Sequence, residues 1–225
     1  MQYTYSNYSA NKEFLPNHQD VVLEPGASIV NSFIYGGFYL ERHSMVNRST
    51  LYGPSGLGSF SYVADTDIGP FVNIGARVSV GGHEHPQDWL STSAFQWVDK
   101  TYLLGKGLKR DDWGKLEEKP ISAKTLIQAD VWIGSNSIIK AGVSLGVGSI
   151  VGAGSVVTKN TEPYGIYFGN PAVLKKFRFS KDIRSKLLES VWWELPIEFL
   201  LHLPFKDVTA CIEIVKQHKE SKKCN

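Results

Sequence analysis

Aliphatic residues recur every six positions in the second half of the chain. Seven consecutive steps fit: Ile121, Ile127, Ile133, Ile139, Leu145, Val151 and Val157. Four residues after each comes a small or β-branched residue: Thr125, Val131, Ser137, Val143, Ser149, Ser155 and Thr161. Six residues rotate an α-helix by about 600°, which moves the stripe off one face, and a strand alternates every two residues. The pattern predicts a parallel β-solenoid with inward aliphatic residues and small corner residues.

A second block has the same pattern at Ile68-Gly69, Ile74-Gly75 and Val80-Gly81. The next step falls at residue 86, but the pattern resumes only at Ile121. The intervening segment, residues 86–120, contains the aromatic residues Trp89, Phe95, Trp97, Tyr102 and Trp113. Loops longer than about 15 residues are uncommon unless they are functional or disordered. We therefore predict a long functional loop inserted into the solenoid.

The flanking regions lack the six-residue pattern. We predict that residues 1–60 form a separate part with short strands or irregular coils. The β-helix with its inserted loop 86–120 is predicted over residues 61–172. Residues 173–225 predict a helical cap and a basic tail, with Ser180 and Asp207 as helix N-caps. Such helices protect the open end of a solenoid, which otherwise exposes strand edges and core.

Charge and composition narrow the class of protein. Lys plus Arg is 24 and Asp plus Glu is 22, a net charge of +2, and residues 216–225 alone contribute four Lys and one Glu. The remainder sums to −1, so we expect no nucleic-acid partner. Two cysteines are too few for a disulfide framework. We expect no membrane span, because no apolar run reaches about 18 residues, and no signal peptide, which favours a cytoplasmic location.

Four stretches resemble the xenobiotic acetyltransferase branch of the hexapeptide-repeat acyltransferases, which includes chloramphenicol and streptogramin acetyltransferases. They are residues 85–92 (HPQDWLST), 130–134 (DVWIG), 152–159 (GAGSVVTK) and 169–172 (GNPA). The resemblance implies an all-β fold, a left-handed parallel β-helix with a long inserted loop and C-terminal helices. It also implies a homotrimer with active sites between subunits, acetyl-CoA as donor, a small-molecule acceptor and no metal.

Within this resemblance, His85 corresponds to the general base, because the family's His lies where the long loop leaves the solenoid. His83 is the competing candidate, since residues i and i+2 of a strand share a face and spacing does not separate them. The motif alignment favours His85. Asp88 is expected either to orient the His85 ring or to bind an acceptor hydroxyl, with loop solvation as the alternative.

The donor-binding positions also follow from the resemblance. Ser135 and Ala153 are three hexads apart, hence one coil apart at the same corner, and they match pantetheine-contacting positions. The other matches are Trp132 near the thioester, Thr158 and Lys159 near the nucleotide, Asn170 near the ligand, and Lys175, Lys176 and Arg178 for phosphates. Gln128 and Lys140 depart from the family pattern, and we expect both to face outward.

The predicted activity is transfer of an acetyl group from acetyl-CoA to a hydroxyl or amino group of a small acceptor, by direct attack. A carbohydrate acceptor is favoured, and antibiotic O-acetylation is the alternative. Two other classes stay open. A metal-dependent hydratase could use His83 and His85, although residues 86–201 contain no third His. A non-catalytic solenoid explains the hexads alone.

Overall fold

A computed structural model describes residues 21–96 and 123–223. These residues form nineteen strands and three α-helices. In chain order the strands are β1 (Val21–Leu23), β2 (Ser28–Val30), β3 (Phe33–Tyr35), β4 (Phe38–Leu40), β5 (Met45–Asn47), β6 (Thr50–Tyr52), β7 (Ser55–Leu57), β8 (Tyr62–Ala64), β9 (Thr66–Ile68), β10 (Asn73–Ile74), β11 (Ser79–Gly81), β12 (Thr125–Ile127), β13 (Trp132–Ile133), β14 (Ile138–Ile139), β15 (Ser144–Leu145), β16 (Ile150–Val151), β17 (Val156–Val157), β18 (Gly165–Gly169) and β19 (Ala172–Phe177).

The described strands form three sheets that are the three sides of a parallel β-helix. Sheet A has the order β1-β4-β7-β10-β13-β16-β18-β19, sheet B the order β17-β14-β11-β8-β5-β2, and sheet C the order β15-β12-β9-β6-β3. Neighbouring strands are parallel except for the β18–β19 pair. The predicted parallel β-helix is therefore confirmed, and β1 to β3 complete its first described coil.

The predicted boundary near residue 60 is wrong, because the β-helix already includes residue 21. Its early coils repeat every 17 residues, as in the pairing of Val21 with Phe38, whereas Trp132 pairs with Ile150 at 18 residues. Each early coil therefore has two steps of six and one of five between its inward residues: Leu40, Val46, Leu51, Leu57, Val63 and Ile68, each at most 1% exposed. The five-residue side conceals these coils from a search at a fixed step of six.

The corners use left-handed backbone conformations that recur once per coil. Corner 1, between sheets B and C, has Asn31, Arg48, Asp65 and Gly82; corner 2, between sheets A and B, has Gly26, His43, Phe60, Arg77, Asn136 and Gly154. Corner 3, between sheets C and A, has Phe71, Asp130, Gly148 and Tyr164. Most residues avoid positive φ. A side chain at such a position points away from the interior of the β-helix, toward solvent at corners 1 and 2 and toward the C-terminal helices at corner 3.

Buried hydroxyl groups link successive coils near the corners. The Ser61 hydroxyl donates to the Gly75 carbonyl (2.8 Å) and accepts from the Val78 N–H (2.9 Å). Thr161 accepts from the Gly146 N–H at 2.9 Å. Because an unpaired buried N–H costs about 1–3 kcal/mol, these hydroxyls satisfy groups that the turning backbone leaves unpaired. This explains why small hydroxyl residues follow the inward aliphatic residues.

The long insertion leaves sheet B after β11 and returns before β12. Its described part, residues 82–96, contains a short 3-10 helix at Ala94–Gln96. Most of the predicted loop, including Trp97, Tyr102 and Trp113, lies outside the described residues. The coils on either side of it remain in register, because Ser79 pairs with Ile138.

The C-terminal region begins with a strand, so the predicted helical boundary at residue 173 is too early. β19 pairs antiparallel with β18 and ends the coiling. Three helices follow: α1 (Lys181–Ser190), α2 (Ile197–Leu200) and α3 (Val208–Lys223). Both predicted N-caps are confirmed, since Ser180 Oγ accepts from the Ile183 N–H (3.4 Å) and Asp207 Oδ1 accepts from the Ala210 N–H (3.0 Å).

The predicted basic tail is helical as far as the described chain extends. α3 continues to Lys223, and the His218 ring stacks on Phe199 with 4.0 Å between ring centroids. The helices pack on corner 3, where Trp193 and Tyr164 are each 1% exposed. Among the described helices, none combines the length and the hydropathy that crossing a bilayer needs.

Candidate active site

His85 lies close to corner 1, where the inserted loop leaves the β-helix. Gly82 occupies the left-handed position above Asp65, and the chain leaves the coil there. The His85 ring is exposed, while the following Pro86 is buried and fixes the chain against the protein. A histidine is thereby placed on the surface at the root of the insertion.

The imidazole of His85 is oriented by its own loop. Its Nδ1 lies 2.5 Å from the Thr92 carbonyl oxygen. A carbonyl only accepts, so Nδ1 carries the proton and Nε2 carries the lone pair of the neutral ring. Such a ring has the tautomer and the fixed orientation that a general base needs.

His83 has a different environment. Its Nε2 is 2.6 Å from Arg48 Nη2, and its Nδ1 is 3.7 Å from Asp65 Oδ2. Because a guanidinium only donates, the lone pair of Nε2 is already used by Arg48. Arg48 in turn makes a two-bond ion pair with Asp65, at 2.8 and 2.9 Å. His83 is therefore part of an ion-pair cluster on the coils, whereas His85 belongs to the loop.

Asp88 lies three residues after His85 on the same stretch of loop, and its side chain is exposed. The Ser91 hydroxyl accepts from the Ser93 N–H at 3.0 Å. The Ser91 carbonyl accepts from the Gln96 side-chain amide at 2.6 Å. These bonds order the segment that holds the Thr92 carbonyl against His85.

The first group of predicted donor-binding residues lies around corner 2. Trp132, in β13, points outward and is 55% exposed. Ser135 and Ala153 occupy equivalent corner positions on adjacent coils, and the Ser135 carbonyl accepts from the Gly154 N–H at 2.9 Å. A Cβ at Gly134 would lie 2.5 Å from the Ala153 backbone nitrogen. Gly134 therefore lets the two coils approach each other. The backbone of Ser135 and Ala153 stays accessible at the outside of corner 2.

The second group lies further along the β-helix. Thr158, Lys159, Asn170, Lys175 and Lys176 are all exposed. Asn170 follows β18 at the hairpin turn, and Lys175 Nζ lies 4.6 Å from the centroid of the Phe168 ring. Three lysines thus place positive charge on the last coil and its hairpin.

His85 projects from corner 1, whereas Trp132, Ser135 and Ala153 lie at or beside corner 2, on the other side of sheet B. Thr158 and Lys159 follow β17 at the opposite edge of that sheet, toward corner 1. The predicted donor residues of one chain are therefore spread over both sides of sheet B.

Two predicted surface residues have structural roles instead. Arg178 donates to Asp130 Oδ2 (2.8 Å) and to the Gly148 carbonyl (2.9 Å) at corner 3, away from Lys175 and Lys176, so its prediction as a phosphate ligand is wrong. Gln128 is 5% exposed and accepts from the Val147 N–H at 3.1 Å. The expectation that it faces outward is also wrong; Lys140 does face outward.

Sequence reasoning missed an aromatic surface beside the loop. Tyr35 and Tyr52 stack on the outer face of sheet C, with 5.3 Å between ring centroids. Asp67, on the next coil, forms an ion pair with Lys124 at 2.6 Å, at the returning end of the insertion. Burial raises the pKa of the Tyr52 hydroxyl, with further contribution from the charge of Asp67. The 17-residue spacing of the two tyrosines was the signal that would have paired them.

Comparison with known proteins shows the family to which the chain belongs. The family model described as hexapeptide repeat of succinyl-transferase matches residues 125–159. A probable macrolide acetyltransferase of Lysinibacillus sphaericus is 39% identical over 132 residues, which cover 56% of this chain and 67% of that protein. The chain belongs to the hexapeptide-repeat xenobiotic acetyltransferase family.

Coverage of other family members is partial. A chloramphenicol acetyltransferase of Escherichia coli is 35% identical over 134 residues, 58% of this chain, and the match spans 60% of that protein. AntD, an N-acyltransferase from Bacillus cereus solved with dTDP and 3-hydroxybutyryl-CoA, is 21% identical with a TM-score of 0.54, covering 85% of this chain and 99% of AntD. This last likeness is one of fold.

Within the xenobiotic acetyltransferase chain, the repeat match contains Trp132, Ser135, Ala153, Thr158 and Lys159. It does not contain His85, which lies before residue 125. The outer surface of the coils and the loop with its His are therefore two separate parts of the candidate site. The loop with His85 lies at corner 1, where the insertion leaves the β-helix.

Proposed function

We propose that this protein is an acetyltransferase that uses His85 as general base toward a hydroxyl of a small acceptor. The observation that carries the proposal is the 2.5 Å contact between His85 Nδ1 and the Thr92 carbonyl. It supports an Nε2 lone pair on a ring held in one orientation at the root of the loop. Imidazole is the side chain best suited to proton transfer near neutral pH.

The reaction follows as a direct transfer. His85 Nε2 takes the proton of the acceptor hydroxyl while its oxygen attacks the thioester carbonyl carbon. A backbone N–H stabilises the oxyanion of the tetrahedral intermediate. The intermediate collapses with cleavage of the carbon–sulfur bond, and the imidazolium returns the proton to the leaving thiolate. The products are the acetyl ester and coenzyme A.

Acetyl-CoA is the proposed donor. The accessible backbone at Ser135 and Ala153 suits hydrogen bonds to pantetheine amides, with Trp132 beside the thioester. Thr158, Lys159, Asn170, Lys175 and Lys176 lie further along the coil stack, where lysine ammonium groups suit phosphates as point charges. Solved structures with the same fold contain coenzyme A or 3-hydroxybutyryl-CoA.

A homotrimer is the proposed assembly. In this trimer, corner 1 of one subunit would lie against corner 2 of the next. A site between subunits then joins His85 with the donor surface of its neighbour. The exposed Trp132 and Ile138, on the outer faces of sheets A and B, supply apolar area for such contacts.

For the acceptor we propose a carbohydrate. The stacked Tyr35 and Tyr52 rings offer a flat aromatic surface, and Asp67 and Asp88 offer acceptors for sugar hydroxyls. Antibiotic O-acetylation is the second candidate, and the relatives named chloramphenicol and macrolide acetyltransferase favour it. Asp88 takes either role, orientation of His85 or acceptor binding, because no contact among the described residues decides between them.

A metal-dependent hydratase is disfavoured by the environment of His83. Its Nε2 lies 2.6 Å from the Arg48 guanidinium, a cation where a metal would have to bind. A non-catalytic solenoid is tested by donor binding. We expect calorimetric titration with acetyl-CoA to give saturable binding at about one site per chain. Absence of binding at millimolar donor would favour the solenoid.

The base is tested with His85→Ala and His85→Gln. We expect kcat to fall by about 10²–10⁴-fold, because that is the usual contribution of a general base, and the Kd for acetyl-CoA to stay within about twofold. His202→Gln, at an exposed site beyond α2, is the matched control and should retain full activity. Full activity of His85→Ala together with an inactive His83→Ala would transfer the role to His83.

A further inference from the structure

Corner 1 stacks a charged cluster directly beneath the point where the loop leaves the β-helix. Arg48, Asp65 and Gly82 are 17 residues apart, and each has a positive φ. Their coils are in register, since Asn47 pairs with Ala64 and Ala64 with Gly81. The side chains of Arg48 and Asp65 therefore project outward in one line, and His83 is the first residue above them with a side chain.

The stem of the loop has little conformational restraint of its own. Gly81 and Gly82 are consecutive and have φ values of +67° and +104°. A Cβ at Gly81 would lie 2.1 Å from the Ala64 carbonyl oxygen, so close packing fixes this residue. A Cβ at Gly82 would meet no atom within 4 Å. Packing at Gly82 itself therefore leaves the direction of the chain to contacts of the residues that follow, among them the buried Pro86.

The ion-pair cluster of Arg48, Asp65 and His83 restrains the residue that follows the two glycines. His83 contacts Arg48 (2.6 Å, Nε2 to Nη2) and Asp65 (3.7 Å, Nδ1 to Oδ2), and Arg48 is itself fixed by two bonds to Asp65. The planar guanidinium thus has a defined orientation on which the imidazole rests. Glu84, the next residue, pairs with Lys140 Nζ at 3.0 Å on the following coil. The stem is held from below and from above.

We propose that Arg48, with Asp65 and His83, is a positioning unit that fixes the loop stem and thereby sets where His85 Nε2 meets the acceptor. This inference rests on the proposed acetyl transfer by His85. Arg48 acts through His83 and the backbone of residues 83–85, without contact to the reacting atoms. Displacement of a catalytic group by about 1 Å can cost about 100-fold in rate.

The test uses Arg48→Ala, Arg48→Lys and His83→Ala in the full chain, with Arg42→Ala as the matched control. Arg42 lies directly before the corner 2 residue His43 on an early coil and pairs with Glu24 at 3.8 Å, but no loop leaves there. We expect Arg48→Ala and His83→Ala to lower kcat by about 10–100-fold. The KM and Kd for acetyl-CoA should remain within about twofold, because the donor surface lies at corner 2.

Arg48→Lys keeps the charge and loses the two-bond geometry, so it should restore only part of kcat. Histidine ¹⁵N NMR gives a readout that global stability does not move. In the wild type His85 should have its proton on Nδ1, and in Arg48→Ala the ring should show a mixture of tautomers. The double variant Arg48→Ala/His83→Ala should match the worse single variant, because both residues act through one contact.

The outcomes separate the two hypotheses. A wild-type protein that binds no acetyl-CoA and transfers no acetyl group contradicts the proposed function. A wild-type protein that is active, with Arg48→Ala and His83→Ala equal to it in kcat, overturns the positioning unit alone. If Arg48→Ala lowers the melting temperature sharply, His83→Ala and Arg48→Lys decide by the same criteria. A rise in KM for acetyl-CoA at constant kcat would also overturn the proposal.

Discussion

At the scale of single residues, the glycines of the coils differ in what they tolerate. Gly58 follows β7 and lies against the next coil, where an added Cβ would be 2.5 Å from the Gly75 carbonyl carbon and 2.6 Å from the Ala76 nitrogen. Gly56 is two residues earlier and faces outward, with only the Tyr39 oxygen at 3.8 Å. Close approach of backbones, rather than a positive φ, is what Gly58 provides.

We expect Gly58→Ala to destabilise the protein by about 1–3 kcal/mol, because the clash is with backbone that cannot rotate away. Gly56→Ala should change the free energy of unfolding by less than about 0.5 kcal/mol. Thermal unfolding of both variants measures the difference. Equal melting temperatures would mean that the coils separate at little cost.

At the scale of elements, one ion pair joins the β-helix to its helical end. Arg178 follows β19 and reaches Asp130 at corner 3, while Tyr164 and Phe179 pack beside its guanidinium. Burial raises the pKa of Asp130 above its ordinary value, and the Arg178 cation offsets part of that effect. The arginine therefore compensates a carboxylate that the docking of the helices has removed from water.

We expect Arg178→Met to lower the melting temperature by about 4–8 °C at pH 7.5, corresponding to about 2 kcal/mol for an unpaired charge. A carboxyl group whose folded-state pKa is raised stabilises the fold when protonated, and this contribution is lost as pH rises through the raised pKa. The deficit of Arg178→Met should therefore be smaller at pH 4.5. In Arg178→Met/Asp130→Asn the pH dependence should disappear; its persistence would place the titrating group elsewhere.

At the scale of the whole molecule, the separation of corners 1 and 2 makes a specific demand on assembly. In the proposed trimer, His85 and the donor surface around Ala153 come from different chains. Mixed trimers of two inactive variants test this directly. His85→Ala removes the base, and Ala153→Trp fills the donor surface at an exposed position.

Each variant alone should have little activity. After the two are unfolded together and refolded in equal amounts, about a quarter of the sites should contain both intact halves, and activity should return to about that fraction. Mixing without exchange of subunits is the control. If refolded mixtures remain inactive while wild-type protein refolds normally, the site lies within one chain and the proposed trimer is wrong.

The later coils could be predicted from the sequence because their period is a constant six residues from Ile121 to Val157. The inserted loop could be predicted because the pattern is interrupted before Ile121. Both helix caps could also be predicted, since they depend on neighbouring residues only. The early coils escaped because one side has five residues between Val46 and Leu51, so any fixed step loses the pattern. The outward prediction for Gln128 failed because its position in a repeat does not reveal that its side chain accepts from the Val147 N–H of the next coil.

By itself, then, the sequence determined which residues of the later coils face inward, where the loop interrupts the coils and which motifs carry the family resemblance, since these are properties of local order along the chain. Only the tertiary structure decided which histidine has its lone pair engaged by Arg48 and which is held by a loop carbonyl. It also decided that Arg178 stabilises the helical end and that Arg48 lies beneath the loop stem. The contacts of Arg48 and Arg178 join residues 17 to 48 positions apart, and their partners depend on how the coils stack.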